Sequence, residues 1–337
     1  MTTTSDLFGE SAAGEPATPG SYGLPPDGFR LPAATRLGAV RLRVGDLERS
    51  LAFYQEVLGM RVLEREPGRA RLGGGAASPS GTEASAASPL VELRERQGVR
   101  PAPSRGRTGL FHFALLLPER AALGRFLAHA RGLGLQLGAG DHLVSESLYL
   151  QDPDGLGIEV YADRPQSRWR RASRELRMAT DPLDLPGLVE AAGGEPWRGM
   201  PAATVLGHVH LHVGDLELAA GFYSGVVGLD RTVWSYPGAL FFAAGGYHHH
   251  LGTNLWAGRD ASPPAPDEAQ LLDWTIVLPE EASLVAVTES LERAGFAAER
   301  GSDGDGGAEV RTRDPWATAM RLRVDGVAAG ERVGGRS

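Results

Sequence analysis

No cysteine occurs in the 337 residues. A disulfide framework is therefore excluded, and only His and carboxylate side chains remain to hold a metal. No apolar run approaches the roughly 18 residues that a membrane-crossing helix needs. The start lacks a basic stretch leading into an apolar one, so it does not read as a secretory signal, and a cytoplasmic protein is expected. Basic side chains are the minority, 34 Lys and Arg against 42 Asp and Glu, for a formal charge of −8. That balance argues against a nucleic-acid partner, which calls for a basic face. Phosphate-cradling loops are missing as well, because Gly73–Gly75 and Gly245–Gly246 lack the strand-to-helix setting of a nucleotide fingerprint. The remainder is ordinary for a globular chain, 42% hydrophobic and 23% charged, and long enough for one large domain or two.

Residues 1–34, rich in Gly, Pro, Thr and Ala, read as a disordered tail, and the Gly-rich residues 328–337 as another. Between them the chain repeats itself. Residues 37–60 (LGAVRLRVGDLERSLAFYQEVLGM) align without a gap on 206–229 (LGHVHLHVGDLELAAGFYSGVVGL). Each copy opens with an alternating strand, passes an Asp fit to cap a helix (Asp46, Asp215), and enters an amphipathic helix that should end at Gly59 or Gly228. A second pair follows, with FHFALLLPERAAL from Phe111 matching LDWTIVLPEEASL from Leu272, and the Asp-Pro turn at Pro153 matching that at Pro315.

These repeats predict an α+β fold of four βαβββ modules, starting near residues 36, 108, 205 and 270 and forming paired, partly open mixed β-barrels. Along the chain the modules group as 35–165 and 204–327, joined by an ordered connector at 166–203. The Ser/Ala/Gly-rich segment 77–90 reads as a loop inside module one. A cup closed by paired sheets is a natural ligand site.

Eight of the nine histidines fall in four places: His112, His142, His208/His210/His212 and His248/His249/His250. His129, on the helix of module two, reads as a surface residue. His208, His210 and His212 alternate along the opening strand of module three, which puts all three on one face. A lone strand histidine is ordinarily a satisfied core or surface residue. Module one, however, has Ala39, Arg41 and Arg43 at the matching positions, so the fold does not require imidazole there. His112 opens module two, and Glu159 closes it between Ile158 and Val160; a carboxylate there must face outward or meet a positive partner. Their counterparts in module four are Asp273 and Arg321.

Residues 140–159 read GDHLVSESLYLQDPDGLGIE. Gly140, His142, Leu148, Tyr149, Asp152, Pro153, Gly155 and Glu159 fill every fixed position of the signature of extradiol ring-cleaving dioxygenases. The chain thus resembles that family within the vicinal oxygen chelate (glyoxalase/bleomycin resistance/dioxygenase) superfamily. Its whole-chain pattern, GGYHHHLGTNLWAGR included, is similar to bacterial catechol 2,3-dioxygenases.

The resemblance implies a metal held by His112, His208 and Glu159, a two-His, one-carboxylate face suited to non-heme Fe(II), with Mn(II) as the alternative. It implies an aromatic diol and O2 as substrates, with a homo-oligomer left open as the assembly state. His142 is implied as acid/base or hydrogen-bond donor and Tyr149 as a hydrogen-bond partner of the substrate. The bland readings are a loop-capping His142 and a packed Tyr149.

His210, His212, His248, His249 and His250 are expected to surround the ligands or the substrate. The run at 248–250 is read as the start of the last strand of module three, with His248 and His250 on one face and His249 on the other; a second metal site there stays open. Trp256 reads as an aromatic wall for a flat substrate or, more commonly for such a residue, as core. In the best-known relatives the last two modules bear the ligands. Here the site must come from modules two and three, which implies that module four closes its sheet with module one. Another metal-dependent lyase or isomerase, or a non-enzymatic binding protein, are the rival readings, because fold alone does not fix function.

Overall fold

The structure is a computed structural model and describes residues 2–8, 14–75, 88–258, 260–302 and 306–324. Two short elements come first, α1 (Thr4–Phe8) and β1 (Glu15–Pro16). Module one runs β2 (Arg36–Val44), α2 (Leu47–Glu56), β3 (Arg61–Glu66), β4 (Arg69–Gly73) and β5 (Val91–Glu95). Module two runs β6 (Gly109–Leu116), α3 (Arg120–Gly132), β7 (Gly138–Asp141), β8 (Ser145–Gln151) and β9 (Gly157–Asp163). The connector adds β10 (Arg170–Ala172), β11 (Glu175–Leu176) and α4 (Leu185–Ala191). In module three, β12 (Val205–His212) leads to α5 (Leu216–Ala220), which widens into a π-helical turn over Gly221–Val226; β13 (Asp230–Val233), β14 (Ala239–Ala243) and β15 (Leu251–Asn254) follow. Module four runs β16 (Gln270–Leu278), α6 (Glu281–Arg293), β17 (Glu299–Ser302), β18 (Ala308–Arg313) and β19 (Ala319–Val324).

The capping residues do what their chemistry predicts. Asp46 accepts from the Arg49 amide and Asp215 from the Leu218 amide, each satisfying a helix N–H that has no intrahelical partner. The chain turns out of each helix at Gly59 and Gly228, both at positive φ.

Two eight-stranded mixed sheets result, ordered β13-β14-β15-β12-β6-β9-β8-β7 and β17-β18-β19-β16-β2-β5-β4-β3. The opening strands of modules two and three pair antiparallel at the centre of the first (β6 with β12), and those of modules one and four at the centre of the second (β2 with β16). The sheets therefore form across the two halves of the chain rather than within 35–165 and 204–327.

Modules adjacent in sequence are tied by a repeated bond instead. Tyr54 on α2 donates to Asp152 at 3.2 Å, and Tyr223 in the π-helical turn donates to Asp314 at 2.8 Å. Each helix thus anchors the Asp-Pro turn of the next module. One apolar core lies between the helices and sheets, and it includes Trp274, Phe113, Phe126, Phe222 and Leu42.

The N-terminal stretch is not a tail where it is described. β1 pairs with β10, Leu24 bridges to Arg231, and Tyr22 and Leu31 are buried. Arg30 Nε also donates to Asp230 at 2.7 Å. Its few apolar residues have no period of their own, and the surface that orders them comes from module three and the connector. The expected second tail at 328–337 and most of the expected loop at 77–90 lie outside the described residues. No helix among the described residues is long and apolar enough to cross a membrane.

Candidate metal centre

Sheet register brings the site together. On β12, His210 pairs with His112 of β6 and His208 with Ala114; Ala114 pairs in turn with Glu159 of β9, and Glu159 with Tyr149 of β8. Residues directly opposite on neighbouring strands share a face, as do residues two apart on one strand. His208, His112, Glu159 and Tyr149 therefore line one face across four adjacent strands. Gly207 makes that register tolerable: a Cβ there would stand 1.8 Å from the Tyr161 hydroxyl. The pairing of β6 with β12 also skips Phe111, a bulge that turns its ring toward His112, with centroids 4.9 Å apart.

His112 Nε2 lies 2.9 Å and His208 Nε2 3.1 Å from the same oxygen, Glu159 Oε2. The other Glu159 oxygen accepts from Ser147 Oγ at 2.6 Å. All three residues are buried, and their ligand atoms lie within 4.8 Å of one another. Two ligands at right angles with bonds of about 2.1 Å stand about 3 Å apart, so this spacing fits a shared cation. His112 Nε2 is buried and, although 2.9 Å from Glu159 Oε2, is not aligned for a hydrogen bond to it, an arrangement that an ion between them would satisfy.

Burial pushes the Glu159 carboxyl up, but the His208 and His112 imidazoles more than offset it and hold it well below the usual carboxylate range. Burial brings His208 down to about 4, which keeps its imidazole neutral, the form that ligates metals.

His142 stands beside this face. Its Nδ1 is 2.8 Å from the Ala179 carbonyl and its Nε2 2.6 Å from the Tyr149 hydroxyl. A carbonyl only accepts, so Nδ1 carries the proton and the neutral ring accepts from Tyr149 through Nε2. Burial, with the Glu159 charge second, raises the Tyr149 phenol well above its ordinary value. Leu143, at positive φ, turns the chain here, with its amide bonded to Asp141.

The other histidines divide. His210 is buried, its Nε2 has no partner, and the rings of Phe111, Phe241 and Trp256 surround it. His212 Nδ1 is 2.6 Å from Asn254 Oδ1, which also accepts from the Trp256 amide. The run at 248–250 precedes β15 in a turn rather than opening it, so strand alternation does not apply. His248 Nε2 meets Asp163 at 2.9 Å, and its Nδ1 meets His249 Nδ1 at 2.7 Å. The His249 ring packs on His208 with centroids 4.1 Å apart. His250 turns away and accepts from the Ala244 amide at 3.2 Å. His129 is half-buried at the surface, bonded to the Glu56 carbonyl. Trp256 is 44% exposed rather than core, because β15 ends at Asn254 and leaves it on the rim.

Sequence reasoning passed over Ser147, Phe111, Asp163 and the connector's Ala179. Ser147 had a signal, since alternation places it on the face of Tyr149. Phe111 had none, because a bulge breaks alternation, and Ala179 meets His142 only through tertiary packing.

The model of the Glyoxalase/Bleomycin resistance protein/Dioxygenase superfamily matches residues 36–160. The chain is 44% identical over 286 residues to a catechol-2,3-dioxygenase of Bacillus subtilis (strain 168), covering 83% of this chain and 94% of that one. Among solved structures it resembles a candidate dioxygenase from Bacillus subtilis subsp. subtilis str. 168, with a TM-score of 0.59 at 12% identity over 88% of this chain and 87% of that one. It also resembles a glyoxalase I mutant from Zea mays, with a TM-score of 0.51 at 19% identity over 86% and 92%. These last two share the fold. With its four βαβββ modules and its near-complete alignment to a catechol-2,3-dioxygenase, the chain belongs to the glyoxalase/bleomycin resistance protein/dioxygenase superfamily.

Proposed function

We propose that this protein is an extradiol ring-cleaving dioxygenase that acts on catechol or a substituted catechol with O2. The observation that carries the reading is the meeting of His112 and His208 on one Glu159 oxygen, at 2.9 and 3.1 Å, in a chain 44% identical to a catechol-2,3-dioxygenase. His112, His208 and Glu159 would hold Fe(II), with Mn(II) as the alternative. When bound, the metal would bring the diol and O2 together and supply the electron transfer between them.

The remaining roles belong to the protein's own groups. Tyr149 is placed to donate to a substrate oxygen once its hydrogen bond to His142 is exchanged, and its raised pKa keeps the phenol a donor. His142 can take a proton at Nε2 from the diol side while its Nδ1–H stays on Ala179. His210, with its unpartnered Nε2, offers a second polar group toward the substrate, and His249 is held against His208 by the chain from Asp163 through His248. His212 and Trp256 line the rim. Burial of His112, Glu159 and His208 limits competing water at the ligand atoms. A fourth protein ligand would favour glyoxalase-type isomerisation; the cluster among the described residues has three members, which supports oxygen chemistry.

The test is anaerobic loading with Fe(II), followed by catechol and air. A yellow semialdehyde formed with about one O2 per catechol is expected. Loaded protein that takes up no oxygen would overturn the proposal, and parallel loading with Mn(II) decides the metal.

A further inference from the structure

A cavity of about 330 Å3 opens where the two sheets meet, beside the metal face but separate from its three ligand residues. Its lining includes Arg43, Arg105, Arg107 and Arg313 and, among the described residues, no Asp or Glu. That is unusual in a chain of net charge −8. Arg107 is neutralised by Glu268, 2.8 Å away. The described hydrogen bonds of Arg43 and Arg313 go instead to the carbonyls of Pro266 and Ala317, at 2.9 and 2.8 Å. Those carbonyls accept a hydrogen bond but cancel no charge. Burial, then the neighbouring Arg96, holds the Arg43 guanidinium below its usual value, a state that an anion would relieve. Thr108, also in the lining, keeps a buried hydroxyl without a partner.

Phe111 and His212, whose ring centroids are 4.8 Å apart, line the cavity, and Phe111 also packs against His112 with centroids 4.9 Å apart. The bulge on β6 makes Phe111 the partition, with His112 on one side and the arginine-lined space on the other. A volume of this size is at the small end for ligand sites and suits a short chain ending in a charged group. We propose that it takes the carboxylate of an acidic side chain on the substrate, so that the preferred substrates are dihydroxyphenyl carboxylic acids. This rests on the dioxygenase reading above.

The test compares kcat/KM for 3-(3,4-dihydroxyphenyl)propionate, its methyl ester and 4-ethylcatechol with the Fe(II)-loaded protein. The acid should exceed the ester by about tenfold or more, a typical return from charge-assisted hydrogen bonds. In Arg43→Gln and Arg313→Gln the ratio of acid to 4-ethylcatechol should fall about tenfold, mainly through KM. An acid no better than its ester, with 4-ethylcatechol turned over well, overturns this inference and leaves the dioxygenase reading standing. Failure of all three substrates sinks the dioxygenase reading instead. Direct binding then judges the cavity without turnover: 3-phenylpropionate should change the fluorescence of Trp316, which lines it, and its methyl ester should not. Equal responses to the two, or none, overturn the anion site.

Discussion

Arg321 Nε lies 3.0 Å from Asp273 Oδ1, in the sheet positions that Glu159 and His112 occupy in the other half of the molecule. Arg41, at the place of His210, also pairs with Asp273, and Glu309 pairs with Arg321 at 2.9 Å. One strand arrangement thus presents a metal-ligand face in modules two and three and a self-neutralised ion network in modules one and four. In the second case each charge already has its partner, so no cation is needed.

Asp273→Ala should therefore cost stability without touching the metal face. It takes from Arg41 its carboxylate partner and leaves Arg321 with Glu309 alone; both arginines are mostly buried, and removing one partner of such a network costs about 3 kcal/mol. Urea unfolding should show that loss while bound iron per chain stays unchanged. A loss under about 1 kcal/mol would mean the network is solvated.

Glu159→Gln, His112→Ala and His208→Ala should each strip the metal, measured as iron per chain after anaerobic loading and desalting. Full occupancy in any one of them removes that residue from the ligand set.

His142→Ala should retain iron and lose turnover by roughly two to four orders of magnitude, the range for lost acid–base help. Tyr149→Phe should keep iron too, with a smaller loss, since His142 remains. Normal turnover in His142→Ala would reduce it to a residue that holds the loop to Ala179.

Gly207→Ala should weaken both fold and metal site. The new methyl group would overlap the Tyr161 hydroxyl, which itself bonds Tyr247 at 2.7 Å. Overpacking of this kind costs about 1–3 kcal/mol, and β12 carries His208. Unaltered melting and iron affinity would show that Tyr161 yields without cost.

Asp152 gives a pH signature. Burial first, then the Asp154 charge, raises its carboxyl to about 6 from 3.8. The fold thus prefers it protonated, so its contribution is intact below about pH 4 and is lost as pH rises through 6. The size is roughly 3 kcal/mol. Asp152→Asn keeps an oxygen for the Asp154 and Leu156 amides, so its stability relative to the natural chain should improve between pH 4 and 7. A difference independent of pH would refute the assignment.

The sequence alone determined what repeats locally. Strand alternation, the Asp46 and Asp215 caps and the glycine turns are set by near neighbours, so the four modules were legible in order. The signature from Gly140 to Glu159 was legible for the same reason, because its residues lie on three successive strands and the two turns that join them. The imidazoles missing from module one and the Asp and Arg in module four further pointed to modules two and three as the pair that builds the site.

Tertiary structure decided what depends on contacts between distant segments. Residues 14–34 are ordered by surfaces of module three and the connector, which no local period announces. The bulge at Phe111 follows from how β6 and β12 meet, and so does the partition it makes. Ala179 sets the tautomer of His142 from the connector, and His248 to His250 form a turn because β15 pairs with β12 only from Leu251 onward. Side-chain direction in such places is fixed by packing across the fold, and the order of residues along the chain does not encode it locally.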